Sequence, residues 1–131
     1  MPITYQLDAE RRLIRTEAAG DVTLEEVFGH LRDVEADPGL PAEANGLIDL
    51  SECTSLLTTE QVVSIEPVLR RLDGKMRFGA CALVASRDAL FGMLRMFEVF
   101  AHPHFERLRV FRDASHARAW LDNGRSPLRA A

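Results

Sequence analysis

Phe78-Gly-Ala-Cys-Ala-Leu-Val-Ala85, followed at once by Ser86-Arg-Asp-Ala-Leu-Phe-Gly-Met-Leu-Arg-Met-Phe-Glu98, is the stretch that decides the fold. The first segment does not alternate polar and apolar side chains, the pattern of a strand covered on both faces by helices. The second repeats apolar residues at helical spacing. Arg107-Leu-Arg-Val-Phe-Arg-Asp113 and Ala117-Arg-Ala-Trp-Leu121 then supply another strand and another helix. A buried strand, a helix, a strand and a helix in succession point to α/β architecture.

Upstream, Ile3, Tyr5 and Leu7 alternate with Thr4, Gln6 and Asp8, as in a half-buried strand. Leu13 to Ala19 reads as the returning strand of a hairpin, and Gly20-Asp21 ends it. Thr23-Leu-Glu-Glu26 is a capping box, opening a helix with Leu24, Val27, Phe28, Leu31 and Val34 on one face. That helix stops before Asp37-Pro38. Leu47-Ile-Asp-Leu50 reads as a short central strand. Thr58-Thr-Glu-Gln61 is a second capping box, and Pro67 inside its helix predicts a kink or a break. Ser86 is placed to cap the third helix and Asp113 the last. The order is β-β-α-β-α-β-α-β-α, a mixed sheet of four to five strands with about four helices.

One domain is expected over 1–123, with a short polar tail over 124–131; at 131 residues the chain can bury a real core. The net charge of −4 opposes generic nucleic-acid binding, which needs a basic footprint. Cys81 reads as a small buried hydrophobe, whereas Cys53 sits in a polar loop and could be exposed. The N-terminus lacks the charged and apolar regions of a signal peptide. No apolar run approaches the ~18 residues of a membrane span. A cytoplasmic setting is the default, with peripheral membrane contact left open.

The third helix carries more apolar surface than one sheet contact requires. Leu90, Met93, Leu94, Phe97, Phe100 and Ala101 share one broad face, while Phe91, Met96 and Val99 lie off it near Gly92. A mid-helix glycine costs roughly 1 kcal/mol against alanine, and close approach of a neighbour is one reason to keep it. Phe91, Gly92, Met96 and Val99 therefore form a candidate interaction strip, open to two readings. It is either buried between sheet and neighbouring helix, or exposed to a partner chain, lipid or apolar ligand.

Asp49-Leu-Ser-Glu-Cys-Thr-Ser55 leaves the carboxyl end of a central strand, the edge where α/β sheets place ligand sites. Asp49, Ser51, Ser55, Thr58 and Thr59 make a candidate regulatory edge, where hydroxyls near a helix N-terminus can accept phosphate. Turn and capping chemistry explains the same residues. His102-Pro-His104 with Glu106 matches no zinc spacing, and His30 and His116 read as surface residues. No nucleophile elbow, Walker loop or dinucleotide fingerprint is present. Neither a catalytic residue, a cofactor nor a metal is expected.

Met1-Pro-Ile-Thr-Tyr5, Gly20-Asp-Val-Thr-Leu-Glu-Glu26, Leu47-Ile-Asp-Leu-Ser51, Leu90-Phe-Gly-Met-Leu-Arg-Met-Phe-Glu98 and Val110-Phe-Arg-Asp-Ala114 with Ala119-Trp-Leu121 resemble bacterial SpoIIAA-like proteins. These are grouped with STAS and CRAL-TRIO (Sec14-type lipid-carrier) domains. The resemblance implies a STAS-like single domain with helices packed mainly on one side of the sheet. It also implies a regulatory module of the anti-sigma-factor-antagonist type, which is switched by phosphorylation within Asp-Ser-Ser-Gly. Leu56-Leu-Thr-Thr-Glu60 stands in that neighbourhood, so the phosphoswitch does not carry over.

The leading expectation is a non-enzymatic STAS-like regulatory or protein-interaction module, docking through the strip or the Ser51–Thr59 edge, dimerisation included. The alternative is a carrier or sensor of an apolar small molecule or lipid, with transient membrane contact. Function follows from the site rather than from the fold.

Overall fold

A computed structural model describes residues 2–123, so the tail expected over 124–131 lies outside the described residues. The strands are β1 (Ile3–Asp8), β2 (Leu13–Gly20), β3 (Glu43–Cys53), β4 (Arg77–Val84) and β5 (Arg107–Phe111). The helices are α1 (Leu24–Ala36), α2 (Thr59–Asp73), α3 (Asp88–Ala101) and α4 (Ala114–Asn123), with a short 3₁₀ turn over His102–His104. The sheet runs β1-β2-β3-β4-β5. Its first pair is antiparallel and the remaining three are parallel. The mixed sheet and the order of elements are those expected.

β4 explains the layering. Cys81, Leu83 and Ala85 pack with Ile65 and Leu69 of α2, Leu90 and Leu94 of α3, and Val27 and Leu31 of α1. Ala80, Ala82 and Val84 point the other way, onto Ala117 and Leu121 of α4. Helices α1, α2 and α3 thus share one face, and α4 covers the other. The absence of alternation in Phe78–Ala85 is the mark of this double burial.

Both capping boxes form: Thr23 Oγ1 accepts from Glu26 N and Thr58 Oγ1 from Gln61 N, each at 3.2 Å. At α4, Asp113 Oδ1 accepts from His116 N at 2.9 Å. Helix α2 runs through Pro67 without the break, one of the two outcomes expected there, and Val62, Ile65, Leu69 and Leu72 stay buried on both sides of the proline. Three local expectations need correction. Ser86 does not cap α3. Arg87 takes the N-cap position without a side-chain cap, and its Nη2 donates instead to Cys53 O at 3.1 Å.

The central strand spans 11 residues rather than four. Asn45 lies where the β3–β4 register shifts, and its Oδ1 accepts from Ala80 N at 2.8 Å. The side chain thereby supplies a bond that the irregular ladder omits. Cys53, finally, ends β3 as a buried residue.

Candidate functional site

The three helices on one face do not close over the sheet. Between them lies a cavity of about 160 Å³, floored by Thr16, Ala18, Ile48, Leu50 and Leu83. Its walls include Val27 and His30 from α1, Ile65 from α2, and Met93 and Phe97 from α3. Ile48 and Leu50 are on the central strand yet remain only half-buried, because they face this space. Packed interiors leave few voids larger than a water molecule.

The lining is apolar except at a few points. Thr16 is the one buried polar residue among the described residues, at 4% exposure. Its Oγ1 lies 3.2 Å from His30 Nε2. His30 is therefore no surface residue: it is half-buried, its ring meets Tyr5 edge-on with centroids 5.4 Å apart, and burial lowers its pKa against the opposing pull of Asp33. Tyr5 OH donates to Asp37 Oδ2 at 2.8 Å, a bond that with burial pushes the phenol up to about 12. Among cavity-lining groups, Ser55 Oγ accepts from Val22 N at 2.7 Å and donates to Val22 O at 3.0 Å. The Cys81 thiol is pushed up to about 12 by burial.

The candidate regulatory edge is distributed among structural duties. Asp49 Oδ1 accepts from Ser51 N and Ser51 Oγ, at 2.9 and 2.5 Å. Ser55 ties the loop after β3 to the loop after β2, as does Thr54 N donating to Gly20 O at 2.8 Å. Thr58 caps α2, and Thr59 begins it, exposed. The structure thus joins Asp49 to Ser51 and Thr58 to Gln61, but gathers no common cluster of hydroxyls by hydrogen bonding.

The candidate strip on α3 divides. Phe91 is half-buried beneath the Arg112 guanidinium, 4.0 Å from its ring centroid. Met96 is half-buried, Gly92 is exposed, and Val99 is 67% exposed. Among the described residues, no atom beyond the adjoining residues and backbone of its own helix lies within 4 Å of a Cβ built on Gly92, so no close approach among them accounts for this glycine. Phe100, placed on the core face by helical angle, is 37% exposed. A groove along β5 between α3 and α4 links Phe91 and Val99 to Trp120.

His104 ties the 3₁₀ turn to α2, with Nε2 3.0 Å from Glu66 Oε1. Arg70, then His104, hold the Glu66 carboxyl below its ordinary range. No cluster of three or more metal-ligating side chains occurs among the described residues, nor a helix long and apolar enough to cross a membrane.

A five-stranded mixed sheet with three helices on one face and a fourth on the other defines a STAS-like α/β domain. More narrowly, the chain has a SpoIIAA-like fold. It is similar to an uncharacterized protein of the DUF3478 family from Shewanella loihica PV-4, whose crystal structure has that fold. The two share 17% identity with a TM-score of 0.58, over 91% of this chain and 93% of that one. At that identity the likeness is one of fold. No protein-family model and no curated protein matches the sequence.

The placing of the cavity over Thr16 and beneath His30 is what sequence reading missed. Its signals were present: Thr16 occupies an inward position between Ile14 and Ala18, and His30 borders the apolar face of α1 between Val27 and Val34. Two core-facing positions given to polar residues mark a place where the interior is not simply filled.

Proposed function

We propose that this chain is a non-enzymatic binding module of regulatory type, which works by holding an apolar small molecule between its sheet and helices. The cavity carries this reading. An engineered void of about 150 Å³ in another protein stays dry and binds benzene, and the space here is about 160 Å³ with nearly all its walls apolar. The size suits a ring-sized molecule; a whole lipid would require α1 and α3 to part.

A non-enzymatic role is supported by the occupation of the candidate nucleophiles. Ser55 is held by both polar groups of Val22, Thr58 caps a helix, and the buried Cys81 thiol resists ionisation. A thiolate, not a thiol, is the nucleophile.

Methyl NMR during titration with toluene tests the reading. Shifts concentrated in the methyls that line the cavity, among them Val27, Ile48, Leu50, Ile65, Leu83 and Met93, are expected. Unchanged methyls at saturating toluene would remove the proposal.

The 67% exposure of Val99 beside Phe100 favours a second reading, self-association through the outer side of α3. Solution mass decides it: a dimer dissociated by Val99→Glu supports it, and a monomer at high concentration ends it.

A further inference from the structure

We infer that the cavity selects an apolar ligand carrying one neutral hydrogen-bonding oxygen, with Thr16 and His30 as the polar seat; this rests on the ligand-binding reading above. Thr16 comes from the sheet floor and His30 from the helix above it, and both line the same cavity. Their mutual bond, 3.2 Å from Oγ1 to Nε2, is the one hydrogen bond that either side chain makes among the described residues.

That bond leaves capacity unused. A hydroxyl has one donor and two acceptor sites, and a neutral imidazole has one of each. Whichever group donates, Thr16 Oγ1 retains at least one site for a third partner. An apolar pair of similar shape would have filled these positions without that residue of polarity, since a buried hydroxyl costs free energy unless bonded. Burial keeps the ring of His30 in its neutral form more readily than in water, and no Lys or Arg among the described residues lines the cavity to hold an anion. A phenol, ketone or alcohol on an otherwise apolar ring therefore fits the seat, while a carboxylate does not.

Toluene and p-cresol differ by one hydroxyl and serve as the probes. Calorimetric titration of the wild-type chain should find p-cresol bound at least as tightly as toluene, because the seat replaces the water lost by the phenol. In the double variant Thr16→Val/His30→Leu, toluene should win by about tenfold or more, the cost of burying an unpaired hydroxyl. Toluene favoured to the same degree in both proteins would overturn the polar seat while leaving the apolar cavity intact. Failure of both probes to bind the wild type would overturn the seat and the binding reading together. An independent readout needs no variant: the imidazole nitrogen resonances of His30, which report its hydrogen bonding, should move markedly further with p-cresol than with toluene. Equal movement, or none with p-cresol, contradicts the inference.

Discussion

Arg112 lies over the ring of Phe91, its guanidinium 4.0 Å from the centroid, while its Nη1 donates to Asp88 Oδ1 at 2.6 Å. One side chain at the end of β5 thus covers the first apolar residue of the α3 strip and grips the first turn of that helix. The outer surface of α3 is consequently narrower than its apolar content suggests.

Replacing Arg112 by alanine should uncover Phe91 and lower stability by about 0.5–1 kcal/mol, the range of an exposed cation–π contact. The ion pair adds little, because both partners are exposed. Urea denaturation of Arg112→Ala, Phe91→Ala and the double variant measures the coupling. Strictly additive losses would show that the stacking contributes nothing.

Thr58→Ala should cost about 1 kcal/mol, since it removes the acceptor for Gln61 N at the start of α2. Thr59→Ala, one residue on and without that bond, should stay within about 0.5 kcal/mol. Equal losses at the two positions would contradict the capping assignment.

Gly79→Ala should destabilise by more than about 1 kcal/mol. The added methyl meets Asn45 Oδ1, the atom that accepts from Ala80 N. The clash lies inside the sheet, where the Asn45 amide is held by its bond and has little freedom to retreat. Thermal unfolding indistinguishable from wild type would show that Asn45 can give way.

His30 predicts a pH dependence with a definite sign. Its folded pKa lies below 6.5, with burial as the main cause. As pH falls through 6.5, the unfolded chain takes up the proton before the folded one does. The unfolded state then binds more protons, and stability falls with pH across that window. The midpoint in urea should drop more in wild type than in His30→Leu between about pH 7 and about pH 5.5. Parallel slopes would contradict the shift.

Much of the fold was legible because each signal is local. Capping boxes at Thr23 and Thr58 announce helix starts, and the unbroken apolar run before Ser86 announces a central strand. The length of β3 was hidden because Asn45-Gly46 looks like a turn, whereas here the asparagine repairs an irregular ladder. The cavity was less legible still. Its existence depends on the spacing of α1 and α3 across the sheet, which no single segment encodes. The apolar surplus of the third helix hinted at a binding space, but Thr16 and His30, each a single polar residue among apolar neighbours, do not by themselves say where it lies.

The claim that this space receives a ligand is tested most directly by thermal unfolding with and without toluene. A ligand bound only by the folded state stabilises it by about 2.7 kcal/mol at a hundredfold excess over its Kd. Toluene should raise the Tm of the wild type by several degrees, and Ala18→Leu, which fills the cavity floor, should abolish the rise. An unchanged Tm in the wild type, or the same rise in Ala18→Leu, would contradict the claim.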